Sequence, residues 1–319
     1  MKRITFLITL LFALTCQAQL LWKVSGGTLE KPSYLFGTYH LMPSAFVDSV
    51  PGLNDAIKNV DAVWVEVENS QMTAPATVMK MSKMMIAPPD STIDALLSKD
   101  AYQIVDTVVQ RYLGTFGINL DKLKTMRPAA LSTQLAQLMA VRRLPDFEMN
   151  NLLDHEVELR VKALGKPAHS LETVDFQLQL LLGDPLPKQA ADLLEMCKNI
   201  GEVERNFDDM HNAYATQDFD KLMLAATDPS ATTPEDMERI CYDRNEKWLP
   251  TLIEAAQKGS ILVAVGAAHL GMEKGLISLL RHQGYTVEPV KKPCPSKPNQ
   301  PTIKKQNTDL IHLTLFTPI

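Results

Sequence analysis

The sequence predicts an α/β fold: a central, mainly parallel or mixed sheet built from both ends of the chain, with a large helical insertion between its strands. Three observations predict it. Apolar and β-branched runs cluster before residue 70 and after residue 259. The span of about 71–256 instead carries apolar residues at helical spacing. The last two apolar runs are joined by an amphipathic helix with short connections, the pattern of a crossover unit packed on a sheet.

In chain order, LLWKVSGGTLEKPSYLFGTYH reads as two short strands joined through Gly26-Gly27 and the turn-favouring Lys31-Pro32. LNDAIKNV follows as a short helix and DAVWVEVE as a strand. MTAPATVMKMSKMM, IDALLSKDAYQIVDTVVQRYL, ALSTQLAQLMAV and NNLLDHEVELRVKAL read as helices, punctuated by Pro88-Pro89, Pro128 and Pro145. A short strand at KPAHSLE precedes helices from about Val174 to Ala256, broken near Pro185 and Pro229. GSILVAVGAAHLGMEKGLISLLRHQGYTVEPV closes the fold with strand, helix and strand. Residues near position 40 and near position 269 are therefore expected side by side.

The two ends differ in kind. Lys2 and Arg3 precede an apolar run from Ile4 to Leu14, with small residues at Cys16 and Ala18, the layout of a signal peptide over 1–18. The expected mature chain starts near Gln19, has no transmembrane segment and is exported, either periplasmic or secreted. Lipoprotein anchoring through Cys16 is the weaker alternative, because Ala13 and Thr15 are poor neighbours for lipidation. Residues 19–290 form the expected α/β domain, and 291–319 a tail rich in Pro and Lys. Cys197, Cys241 and Cys294 remain after cleavage, an odd number that leaves a Cys197–Cys241 bridge open.

Composition excludes several functions. With Lys plus Arg at 32, Asp plus Glu at 37 and aromatics at 6%, the chain advertises no basic or stacking surface for nucleic acid. G-x-S-x-G, H-E-x-x-H, the Walker loop and G-x-G-x-x-G are all missing from the sequence.

Chemistry concentrates in a few places. Gly37-Thr38-Tyr39-His40 and Gly266-Ala267-Ala268-His269 repeat one G-x-x-H frame, each after an apolar strand. Glycine there lets the backbone turn or approach a ligand closely. The carboxyl edge of an open α/β sheet is where ligands bind. Two such imidazoles make a pair of metal ligands or a base with its orienter, and alternatively two hydrogen-bonded strand-end residues. Glu66 and Glu68 are expected on one strand face with Trp64, Glu66 the deeper. Glu172 precedes a helix, where a capping role competes with a catalytic one. Arg244 and Asn245 open another helix, and such an Arg either clamps a carboxylate or oxyanion or sits on the surface. Asp154 and Glu158, with Arg160 nearby, read as a solvated face. His155, His169, His211, His282 and His312 lack supporting neighbours.

Taken together, SYLFGTYHLMP, the strand ending in VEVE, GKPAHSLETVDFQ, YDRNEKW and the closing VAVGAAHLGMEKGLISLLRHQGYTVEPV resemble the TraB/GumN family, which includes the Tiki membrane proteases. The resemblance runs from about Leu21 to Val290. It implies a fold related to erythromycin esterase and ChaN-like proteins, with His40, His269 and Glu66 at the site. It also implies places there for Glu172, Arg244, Asn245 and Asp154. Ser170 and Met272 stand where the family's motifs usually carry Gly.

The expected function is an exported metal-dependent hydrolase, peptidase-like, acting on a peptide or another amide or ester. His40, Glu66 and His269 would hold a divalent ion, Mn, Co or Zn. Glu172 would serve as general base or orienter, Arg244 would stabilise the oxyanion beside Asn245, and Glu68 and Asp154 form a second tier. The helical middle would form the wall of the cleft and select the substrate. The alternatives are a non-catalytic peptide- or haem-binding protein and a metal-free, esterase-like hydrolase using one histidine as base.

Overall fold

The computed structural model describes residues 20–144, 147, 152–229 and 232–291. The expected signal peptide with Cys16, and the tail from residue 292 onward with Cys294, lie outside the described residues. Six strands, β1 (Leu21–Ser25), β2 (Ser33–Thr38), β3 (Ala62–Val65), β4 (Ala168–Ser170), β5 (Ile261–Gly266) and β6 (Thr286–Pro289), form one mixed sheet ordered β4-β3-β5-β2-β1-β6. β4, β3, β5 and β2 run parallel, and β1 lies antiparallel to both of its neighbours. Strands from the two ends of the chain thus interleave, with β5 between β3 and β2. No helix among the described residues is long and apolar enough to cross a membrane.

The unbroken apolar runs occupy the centre, because a parallel strand covered on both faces has no polar side to offer. Phe36, Val63 and Leu262 are fully buried there. The helix Leu153–Ala163 packs against this core through Leu153, Val157 and Val161, three fully buried residues spaced one turn apart. Its start is tied to the loop after β2, where the Leu153 amide donates to the Met42 carbonyl at 3.1 Å.

The helical insertion carries a second apolar cluster of its own. Val105 and Val109 from Lys99–Leu113, Leu131 and Leu135 from Pro128–Arg143, and Leu193 from Leu186–Lys198 meet there. Glu204 is pinned beside it by the Tyr112 hydroxyl and by Arg111, 2.9 Å away.

Several local expectations change. Cys197 and Cys241 are both free thiols. Cys197 belongs to the helical cluster, whereas Cys241 lies beside His269, so no bridge joins them. β3 stops at Val65, so the alternation that would keep Glu68 on the face of Glu66 ends first. Glu68 instead accepts from Lys162 at 3.1 Å and from Gln71. Met272 adopts φ 67°, a left-handed conformation that disfavours a side chain. Met272 is 47% exposed. M272G is expected to stabilise the fold by on the order of 1 kcal/mol, read as a higher urea midpoint at unchanged slope.

Candidate functional site

The carboxyl ends of the four parallel strands carry the polar residues. His40 follows β2, Glu66 follows β3, Glu172 follows β4 and His269 follows β5. Glu66 and Glu172 are held side by side because parallel pairing continues past the strand ends, the Glu172 amide donating to the Glu66 carbonyl at 3.0 Å. Gly37 permits the close approach of the turn bearing His269: a Cβ there would stand 3.0 Å from Ala267 Cα. The glycine of the first G-x-x-H therefore serves protein packing.

A cleft of about 730 Å³ opens over this edge, and both His40 and His269 line it, with Glu66, Asp154, His155, Glu158 and Arg244. Arg244, 5% exposed, is the organiser of its floor. A five-residue π-helical turn, Glu238–Tyr242, delivers it at the start of the helix Asp243–Lys258. All five guanidinium N–H donors have acceptors. Nε and Nη2 donate to the two oxygens of Glu172 at 3.0 and 2.7 Å, and Nη2 also donates to Glu66 Oε2. Nη1 donates to the Ile240 carbonyl at 2.7 Å and to His269 Nε2 at 3.1 Å.

His269 is buried and its tautomer is dictated by its partners. Asn245, fully buried, donates through Nδ2 to the His269 and Lys274 carbonyls, both at 3.0 Å, so its Oδ1 faces the ring as an acceptor. His269 Nδ1 therefore donates to that Oδ1 at 2.7 Å, and Nε2 accepts from Arg244. The ring stacks against Trp248 with centroids 4.6 Å apart. Burial, aided by the Arg244 charge and opposed by Glu66, pushes its pKa down to about 4. His269 is neutral at neutral pH.

Glu66 Oε1 accepts from the Gly266 amide at 3.0 Å, and Oε2 accepts from Gln177 at 3.1 Å as well as from Arg244. Burial raises its pKa, but His269, Arg244 and His40 outweigh burial and hold the carboxyl down at about 2. Because His269 is uncharged above about 4, Arg244 and the His40 imidazolium are the cations that keep Glu66 ionised near neutrality.

His40 differs from His269 in exposure, in partner and in charge. Its side chain is 69% accessible although cleft walls surround it, and Nδ1 meets Asp154 Oδ2 at 2.6 Å. The Asp154 carboxylate raises the imidazole from its ordinary 6.5 to about 9, against the opposing effect of burial. Asp154 Oδ1 is buried without a partner among the described residues. The Leu153–Ala163 helix supplies two further lining residues. Glu158, only 4% exposed, accepts from the Asn69 amide at 2.9 Å and from Lys162 at 2.6 Å. His155 Nε2 lies 2.7 Å from Asn69 Nδ2. The expected solvated face is thus the wall of the cleft. The spacing of Asp154 and Glu158 by one turn was the available signal, since it puts both on one side of the helix.

A divalent ion shared by His40, Glu66 and His269 does not fit this arrangement. The lone pair of His269 Nε2 points at a guanidinium, both Glu66 oxygens accept protein donors, and Arg244 already supplies the positive charge between the carboxylates. No three His, Cys, Asp or Glu side chains among the described residues are grouped to hold a metal.

The chain is similar to two proteins of Danio rerio. It is 22% identical over 325 residues to Metalloprotease TIKI2, spanning 84% of this chain and 60% of that protein. It is also 22% identical over 308 residues to Metalloprotease TIKI1, spanning 81% and 61%. The chain thus covers about three fifths of the length of these relatives. No solved structure matches. The model of one family matches residues 20–289, the whole sheet with every cleft residue described above, and the chain belongs to that family, TraB/PrgY/gumN.

Proposed function

We propose that the chain is an exported hydrolase of peptide-like amide or ester bonds, with His40 and Asp154 handling the protons. The observation that carries this reading is the pairing of an accessible cleft imidazole, through Nδ1, with a carboxylate 2.6 Å away. That pairing leaves Nε2 toward the cleft, the relation of a general base to its orienting carboxylate. Nε2 takes a proton from water as the water oxygen bonds to the substrate carbonyl carbon. Asp154 stabilises the imidazolium that forms. The proton then passes from Nε2 to the leaving nitrogen or oxygen as its bond to carbon breaks.

Arg244 has no N–H left for an oxyanion, and Glu172 is held as the counter-ion of Arg244. These residues, with Asn245 and His269, set the floor on which the substrate lies. Export rests on the sequence pattern of residues 1–18.

A metal-dependent form of the same hydrolysis is the second reading. Two relatives are named metalloproteases, and the unpartnered Asp154 Oδ1 is a hard oxygen donor at the cleft. Exhaustive chelation before assay on fluorogenic peptides separates the two. Turnover within about twofold of the untreated protein supports the His40–Asp154 reading. Loss on chelation, with recovery on adding Mn, Co or Zn, supports the metal-dependent one.

A further inference from the structure

Two sets of elements line the cleft, and they differ in chemistry. The strand ends, the Leu153–Ala163 helix and the turn leading into Asp243–Lys258 bring its titratable groups. The helical insertion brings Leu180 and Leu181 from Val174–Leu182, Met210 from Ile200–Ala215, Leu222 from Phe219–Ala226 and Met237 from Pro234–Met237. Leu181 is 60% exposed, a large apolar side chain held in water at the cleft. The charged groups of the lining are already matched within the protein: His40 with Asp154, Glu66 with Arg244, Glu158 with Lys162. A charged substrate side chain entering here would lose its hydration, and the one oxygen of these groups without a partner among the described residues, Asp154 Oδ1, is buried. An apolar one would cover Leu181, and the unbranched methionines adapt to side chains of different shape.

We propose that the cleft selects peptides whose residue beside the reacting bond is apolar, such as Leu, Met or Phe, a reading that rests on the hydrolytic function proposed above. Selectivity comes from the helices that carry these apolar residues, chemistry from the strand ends and the Leu153–Ala163 helix. The test uses the purified chain and a panel of capped fluorogenic peptides differing at one position, with Leu, Phe, Ser, Asp or Lys there. Both kcat/KM and equilibrium binding are measured. Leu and Phe peptides are expected to exceed Asp and Lys peptides by on the order of 10-fold or more in kcat/KM. L181D, at an exposed position that tolerates the change, is expected to shift the Lys-to-Leu ratio toward Lys by on the order of 10-fold.

Product formed at equal rates from Leu and Asp peptides overturns the inference and leaves the hydrolytic reading standing. An unchanged Lys-to-Leu ratio in folded, active L181D also overturns it. Preferential binding of Leu and Phe peptides without product supports the apolar cleft and overturns the hydrolytic reading. Neither product nor preferential binding overturns both.

Discussion

H40A is expected to lower kcat on susceptible peptides by about 10²–10⁴-fold, the range associated with loss of a positioned general base. The imidazole is the group that approaches both the cleft and a carboxylate, and alanine can neither take a proton nor align with Asp154. The fold should survive. The ring is 69% accessible and its bond to Asp154 is a partly exposed pair, a kind that contributes about 0–1 kcal/mol. H40Q refines the test, because an amide keeps polarity and approximate size without a titratable nitrogen. Equal losses in both variants, with unchanged urea midpoints, would assign the effect to proton transfer. Full activity in H40Q would remove His40 from the chemistry.

R244M is expected to destabilise the protein by about 3–5 kcal/mol, because deleting one member of a buried ionic group strands the charges left behind. Both oxygens of Glu172 lose their donor, Glu66 Oε2 keeps only Gln177, and His269 Nε2 loses the N–H that it accepts. Methionine fills much of the volume, so the loss measures charge and hydrogen bonding more than a cavity. Adding E172Q to R244M should recover part of the loss, since a neutral amide requires less solvation than a stranded carboxylate. Urea denaturation of the single and double variants checks this. A loss under about 1 kcal/mol in R244M would mean that water reaches the floor and replaces the guanidinium.

These two residues mark how far the sequence could be read. The repeated G-x-x-H frame and the two terminal groups of strands were enough to expect His40 and His269 at one edge of a sheet. Places there for Glu172 and Arg244 came from the family resemblance, since the residues alone fit a helix cap and a surface arginine equally well. What sequence spacing cannot encode is which lone pair points where. His40 and His269 share a local frame, yet one ring is sealed between Trp248 and Arg244 and the other stays accessible beside Asp154. That difference is set by residues far away in the chain.

Glu68 departs from the expected strand face for a local reason. Alternation along a strand predicts its face only while the strand lasts, and β3 ends three residues earlier. Glu158 and His155 are not distinguished in the sequence, because a run of charges on a helix looks the same whether it meets solvent or a cleft. Only the packing of Leu153, Val157 and Val161 on the sheet fixes the rotation of that helix and turns its acidic side toward His40.

The pH dependence of kcat/KM in the wild type and in D154N tests the central claim most directly. A base whose folded pKa is about 9 is mostly protonated at neutral pH, so wild-type kcat/KM should climb as pH rises and level off above about 9. The Asp154 charge is the main cause of that raised value, so D154N should move the midpoint downward, toward the ordinary imidazole value, while lowering the plateau. A midpoint that stays in place when Asp154 is neutralised, at undiminished plateau activity, would contradict the assignment of His40 and Asp154 as the proton-handling pair.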